Sequence, residues 1–241
     1  MSSRAVADAF KDILFPPHCP LCTEAVNKHN LELCGKCASA FGAYRIKGPL
    51  CTICGIPFKD AASEDHTCGN CIRKTPAFFR ARSLYYFKGE VREAVHCLKY
   101  KWGTMLGSYL GWIMAAAVTE LAVTPDIIAA VPLHRKKITF RGFNQSVLLA
   151  RHMSKVLSVK LDISNLQRIR ATPSQVGLRG TERSANVAGA FMVRETGLFN
   201  GKDVVLVDDV FTTGATVGEC ALVLKRAGAR VTVITLARAV S

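Results

Sequence analysis

Eight of the ten cysteines fall into four C-x-x-C pairs, Cys19/Cys22, Cys34/Cys37, Cys51/Cys54 and Cys68/Cys71, with 11, 13 and 13 residues between successive pairs. A C-x-x-C turn sets two sulfurs at the separation of tetrahedral ligands, and a short hairpin returns the second turn to the first. The spacing predicts two structural zinc ions, one for each consecutive set of four cysteines. A disulfide framework would require an oxidising compartment, and a thioredoxin-like motif would need a single pair beside a βαβ unit. So short a stretch buries little core, whereas structural zinc supplies on the order of 10 kcal/mol of folding energy. Glycines adjoin three of the cysteines, at Cys34-Gly35, Cys54-Gly55 and Cys68-Gly69. His18, His29 and His66 lie close enough to be substitute ligands beside an already complete cysteine set, and Cys97 and Cys220 sit in helical patterns as buried apolar residues.

A second chemistry is written in VVLVDDVFTTGAT, Val204 to Thr216. Four aliphatics lead to two adjacent carboxylates and then to a hydroxyl- and glycine-containing turn that opens a helix. Free backbone N–H groups and the helix dipole favour an anion at such a turn, and threonine hydroxyls add donors. Asp208 and Asp209 need a different partner: carboxylates accept hydrogen bonds from sugar hydroxyls or help hold a hydroxyl-bound metal ion. A ribose 5-phosphate satisfies both demands. The plainer reading has Asp209 capping the turn and Asp208 solvated.

These residues need a scaffold. Arg82 to Lys88 reads as a strand, Gly89 to Val123 as one or two helices, and Ile127 to Pro132 as a short aliphatic strand. A basic turn and an amphipathic helix over Asn144 to Leu157 follow. Ser174 to Asn186 is a long polar loop; then come a strand at Val204 to Val207, a helix at Thr216 to Ala227 and a strand at Val231 to Leu236. The alternation predicts an α/β fold, a mostly parallel sheet with helices on both faces, in which ligands bind beyond the carboxyl ends of the strands. The aspartates are expected to emerge at one such tip. Thr75-Pro76 marks the change in composition, giving a cysteine-rich module over residues 16–75 and an α/β domain over 82–241.

With 49% hydrophobic and 21% charged residues, the composition is that of a folded globular protein. The net charge is +14, and eight thiolates with two zinc ions would lower it by only four, so phosphate-rich partners such as nucleotides, nucleic acid or anionic lipid are favoured. Asp8 and Asp12 interrupt the run a secretion signal would need, which points to the cytoplasm. Met105 to Val123 approaches membrane-spanning length, but Leu106, Leu110, Ile113, Ala117 and Leu121 share one helical face, so a core helix is expected and no transmembrane segment.

The aliphatic run, the two acids, two further positions and Thr212-Thr213-Gly214 resemble the phosphoribosyl pyrophosphate motif of type I phosphoribosyltransferases. Within that superfamily the chain resembles the ComF family of competence-associated proteins over nearly its whole length. CLKYKW at 97–102, VPLHRKKITFRGFNQS at 131–146, TPSQVGLRGTERSANVAGAF at 172–191 and the leading double zinc ribbon carry that resemblance. It implies a type I phosphoribosyltransferase fold, with Asp208 and Asp209 on the ribose hydroxyls and Thr212, Thr213, Gly214 and Thr216 on the 5-phosphate. Arg135, Lys137 and Arg141 would receive the pyrophosphate, which leaves as a magnesium complex. Arg183 and Gln175 would serve catalysis from a loop that closes over the site; a solvated basic loop is the alternative. Thr212 stands where 6-oxopurine salvage enzymes usually carry an acid, which argues against purine salvage.

The resemblance leaves three roles open. One is phosphoribosyl transfer to an acceptor in nucleotide metabolism or on nucleic acid. Another is a DNA-handling role in competence, with phosphoribosyl pyrophosphate or DNA ends bound without turnover and single-stranded DNA as a partner. The third is a zinc adaptor that recruits a helicase or another DNA-processing protein.

Overall fold

The computed structural model describes residues 18–26, 33–60, 64–100, 103–172 and 185–240. Five strands form one parallel sheet: β1 (Arg80–Tyr86), β2 (Ile127–Ala130), β3 (Lys160–Asp162), β6 (Asp203–Phe211) and β7 (Arg230–Arg238), in the order β1-β7-β6-β2-β3. A separate antiparallel ribbon joins β4 (Leu166–Arg168) to β5 (Phe191–Val193). The helices are α1 (Gly35–Gly42) and α2 (Gly69–Arg73) in the cysteine-rich part, then α3 (Gly89–Tyr100), α4 (Gly103–Glu120), α5 (Arg135–Arg141), α6 (Gln145–Leu157) and α7 (Ala215–Arg226).

Strand residues alternate between two cores, as a pleated strand buried on both faces requires. Val205, Val207, Ile234 and Leu236 pack with α3, α4 and α6 on one face; Val204, Leu206, Val231 and Val233 pack with α7 on the other. Leu149, Met153 and Leu224 are wholly buried at these contacts, each contributing roughly 2 kcal/mol. In α4 the expected face of Leu106, Leu110, Ile113 and Ala117 is buried, together with Met114, Ala115 and Val118. Gly107 and Gly111 let α6 approach closely, since a Cβ at Gly107 would meet Leu148 Cγ at 2.5 Å and one at Gly111 would meet His152 Cβ at 2.5 Å. Among the described residues no helix is long and apolar enough to cross a membrane.

Three local expectations change. The basic turn after β2 is helix α5, started by the His134 side chain accepting from Lys136 N–H and ended at Gly142 in the left-handed region, φ 80°. Strand β6 does not stop at Val207; it runs through both aspartates to Phe211 because β7 pairs with it as far as Phe211↔Arg238. The strands β3, β4 and β5, three residues each, were not foreseen: so few residues carry no periodicity.

The cysteine-rich part is fused to the sheet. Ile46 N–H donates to Leu84 O and Tyr86 N–H to Tyr44 O, both at 2.8 Å, so residues 44–46 run along β1 as an antiparallel edge. Cys19, Cys34, Cys37 and Phe41 belong to the core under α3 and α4, whereas Ile53 and Cys54 pack against the opposite core. Each half of the module therefore contacts a different face of the sheet.

Candidate functional site

In each cysteine tetrad, Cys19/Cys22/Cys34/Cys37 and Cys51/Cys54/Cys68/Cys71, all four Sγ atoms lie within 4.8 Å of one another. Cys22 Sγ and Cys34 Sγ are 3.4 Å apart, Cys54 Sγ and Cys68 Sγ 3.8 Å; four sulfurs at ~2.3 Å from one zinc would be spaced by ~3.8 Å. Backbone N–H groups point at the sulfurs, from Cys37 to Cys34 Sγ at 3.4 Å and from Cys68 and Cys54 to Cys51 Sγ at 3.3 and 3.5 Å. Burial opposes ionisation of Cys51, but the N–H groups of Cys68, Cys54 and Ile53 outweigh it and bring the thiol down to about 6. The donor set fits zinc. Of the nearby histidines, His66 stacks on Phe58 with ring centroids 3.8 Å apart, His18 forms a bridge with Ala25, and His29 lies outside the described residues. Cys220 is buried in α7 as expected; Cys97 is only half-buried, its Sγ 3.5 Å from Pro20 O.

The second site is built where β6, α3, α5, α6 and α7 meet. Asp208 and Asp209 lie near the carboxyl end of β6, Asp209 only 5% exposed. Lys99, in the last turn of α3, sets its ammonium 2.6 Å from Asp209 Oδ2. Ser146 Oγ donates to Asp208 Oδ1 at 2.8 Å, and the Asp209 N–H donates to the same oxygen at 3.0 Å. Burial pushes Asp209 upward, but Lys99, with the Asp208 and Gln145 side chains, outweighs it and holds the carboxyl below its usual range. For Asp208, burial and then the Asp209 charge dominate, and its pKa rises to about 8. Two adjacent carboxylates are tolerated because one is ion-paired and the other keeps a proton.

Three consecutive residues organise this pair. Asn144 caps α6, its Oδ1 accepting from Ser146 N–H at 2.9 Å while its Nδ2 donates to Val131 O, just past β2, at 3.0 Å. Gln145 helps hold the Asp209 pKa down and accepts from Arg141 Nη1 at 3.1 Å; Ser146 holds Asp208. The start of α6 thus faces both acids, where its dipole favours negative charge. Lys99, Gln145 and Ser146 have no role evident from sequence alone, although CLKYKW and RGFNQS contain them.

The turn after β6 presents Thr212 and Thr213 to solvent, with Gly214 and Thr216 half-buried. Thr213 Oγ1 accepts from Ala215 N–H at 3.4 Å. Gly214 is left-handed at φ 79°, and a Cβ there would come within 2.6 Å of the Phe211 ring, so the close approach requires glycine.

Of the three expected cations, two join the site. Arg141 reaches Gln145 and donates from Nη2 to Tyr100 Oη at 3.2 Å. Lys137 is half-buried, and its pKa is lowered by burial and by the charges of Arg168, Arg141 and Lys99. Arg135 is exposed at the start of α5, and among the described residues no contact joins it to the aspartates. Arg168, on β4, was not anticipated; it stacks on Phe191 with Cζ 5.3 Å from the ring centroid and donates to Thr172 Oγ1. Arg183 and Gln175 lie outside the described residues. An acidic pair, a hydroxyl-lined helix start and a cluster of cations can together take a polyphosphate on a polyol.

Comparison with known proteins agrees with this architecture. Residues 10–72 match the double zinc ribbon domain family, and residues 144–240 match the phosphoribosyl transferase domain family. DNA utilization protein YhgH of Escherichia coli (strain K12) is 33% identical over 220 residues, spanning 89% of this chain and 93% of that protein. The chain belongs to the ComF family. Two further ComF relatives are Competence protein F of Haemophilus influenzae, 28% identical over 81% of this chain and 85% of its own length, and Competence protein ComFC of Bacillus subtilis, 25% identical over 88% and 86%. Its zinc-ribbon module and phosphoribosyltransferase fold are thus those of the ComF family, expected from the cysteine spacing and the acidic motif.

Proposed function

We propose that this ComF-family protein binds phosphoribosyl pyrophosphate with magnesium and acts on DNA during its uptake or utilisation. The observation that carries the ligand is the acidic pair on β6 running directly into a hydroxyl-lined turn at the start of α7, with Lys137, Arg141 and Arg168 gathered nearby. Asp208 and Asp209 hold the ribose hydroxyls, the 212–216 turn takes the 5-phosphate, and Lys137 and Arg141 take the pyrophosphate, with Arg135 at the outer edge. Guanidinium groups suit phosphate oxygens, and the transition state needs alignment and charge stabilisation and no covalent nucleophile. Arg183 and Gln175 serve catalysis. Residues 16–75 act as the zinc module and 82–241 as the ligand-binding domain, in the cytoplasm.

The DNA reading draws on the relatives' names and on α5. Phe140 is 83% exposed on a helix that also carries Arg135, Lys136, Lys137 and Arg141, and Tyr100 beside it is 58% exposed under the Arg141 guanidinium. Exposed aromatics among cations suit stacking on unpaired bases. Single-stranded DNA is the partner assigned to this surface, with transfer of the phosphoribosyl group to a nucleic-acid acceptor as the second reading and helicase recruitment as a third.

Calorimetry with phosphoribosyl pyrophosphate and magnesium tests the ligand. Asp208→Ala with Asp209→Ala should abolish the binding heat while leaving two zinc ions per chain. Equal binding by this double variant would overturn the assignment.

A further inference from the structure

Arg238 ends β7 on the second cysteine tetrad and is 3% exposed. One face of its guanidinium is spent on the metal side: Nη2 donates to the Cys54 carbonyl. The same group lies over the Phe211 ring, with Cζ 4.0 Å from the centroid. Phe211 is the last residue of β6, 5% exposed, wedged edge-on against Phe78 at 6.3 Å, and its ring is the surface on which Gly214 rests. The backbone repeats the link, since Phe211 and Arg238 are register partners and Ala239 N–H donates to Phe211 O at 3.0 Å. Cys54, Arg238, Phe211 and Gly214 therefore form one continuous stack from a metal ligand to the turn at the start of α7.

Charge explains why an arginine stands there. Four thiolates around one Zn2+ carry a net charge of −2. Two arginines answer it: Arg238, and Arg82, whose Nη1 donates to the carbonyls of Cys51 and Thr52, each at 3.3 Å. The loop is locked further by Ala81 N–H donating to Ile53 O at 2.7 Å. Arg238 Nε is buried without a hydrogen-bond partner, so the guanidinium depends on the charge of the metal centre and on the Phe211 ring. Loss of the ion would release the Cys54 loop to which that cation is bonded, and the ring beneath Gly214 would lose the group that fixes it.

We propose that Arg238 is a positioning residue for the phosphate turn and makes the affinity of that turn depend on zinc in the Cys51/Cys54/Cys68/Cys71 tetrad. This rests on the reading of residues 212–216 as the phosphate site. Linkage makes the effect reciprocal: a ligand held in the turn tightens zinc binding at the second tetrad and leaves the first unaffected.

The test uses the full-length two-zinc protein, with phosphoribosyl pyrophosphate and magnesium as the probe and inorganic phosphate as the minimal one. Probe affinity is read by calorimetry, and zinc affinity by equilibrium competition with a chromogenic chelator, the second tetrad's transition being the one missing in Cys54→Ser. In the unaltered protein, saturating probe should raise the zinc affinity of that transition about fivefold or more. Arg238→Met should weaken probe binding by about the same factor and abolish the gain in zinc affinity, with Arg238→Lys intermediate. Phe211→Leu serves if Arg238→Met fails to retain two zinc ions, because it leaves Arg238 on Cys54 while removing the ring, and the same uncoupling is expected. Probe affinity and the gain in zinc affinity unchanged in a two-zinc Arg238→Met or Phe211→Leu protein would overturn the coupling alone. Failure of the unaltered protein to bind either probe would overturn the phosphate reading and the coupling with it.

Discussion

Lys99 and Asp209 form the tightest charge contact of the site, an ammonium 2.6 Å from a carboxylate oxygen whose side chain is 7% exposed. Lys99 comes from α3, the helix that packs under the first cysteine tetrad, and Asp209 from the central strand β6. The pair decides which of two adjacent aspartates is charged.

Removing Lys99 should therefore be felt in stability before chemistry. Lys99→Met leaves the Asp209 charge buried without its partner and is expected to cost about 3 kcal/mol in urea unfolding. Adding Asp209→Asn should recover most of that loss, a coupling readable from the double-mutant cycle. A cost below about 1 kcal/mol for Lys99→Met would mean that the ion pair is dispensable.

The pH response separates the two acids. Asp208 keeps its proton up to about 8, pushed up by burial and by Asp209, whereas an unfolded chain releases it near pH 4. Unfolding free energy should then fall as pH rises from about 4 to about 8 and level off above. Asp209 has the opposite sign: held down by Lys99 against its burial, it adds stability above the usual carboxylate range that is lost as pH falls through its lowered value. Asp208→Asn should remove the neutral-pH slope. If magnesium and ribose engage Asp208 as the carboxylate, ligand affinity should rise by up to about tenfold per pH unit until about pH 8, and that slope too should vanish in the variant.

Gly214 offers a local test. Gly214→Ala places a Cβ in the left-handed region and 2.6 Å from the Phe211 ring. A loss of ~1–2 kcal/mol in stability is expected from the backbone alone, with ligand affinity falling further because the turn must move. Wild-type affinity would show that the turn does not hold phosphate.

Zinc should be required for the module and for its seat on the sheet. Chelation of both ions should release zinc at two per chain and expose residues 44–46 to hydrogen exchange, because structural zinc contributes on the order of 10 kcal/mol to folding. Cys22→Ser and Cys54→Ser should each retain one ion, measured by metal analysis of the purified chain.

On α5, Phe140→Ala should weaken single-stranded DNA binding by ~1–3 kcal/mol without affecting the fold. Arg135→Ala with Lys136→Ala should lower the slope of log affinity against log salt by about two. An unchanged slope would move the DNA surface elsewhere.

What was legible in the sequence was local. Cysteine spacing specified both tetrads, since a C-x-x-C turn needs only its own backbone to aim two sulfurs. The helices α4, α6 and α7 followed from periodicity, and the β6 run with its Thr-Gly turn marked the helix start to which we assign the phosphate. The ComF resemblance rested on the same continuous segments.

Tertiary structure decided the rest, because those contacts join segments with no local signature. Pairing with β7 extended β6 through the aspartates, and short strands with three residues each formed only because neighbours were there to accept their hydrogen bonds. Ser146 reaches Asp208 across 62 positions of chain, and Arg238 reaches Cys54 across 184. Neither partner announces the other, as a lone serine or arginine looks the same whether solvated or buried. By itself the sequence determined which residue chemistries are present; packing determined which acid pairs with Lys99 and which cysteine tetrad stands behind the turn at residues 212–216.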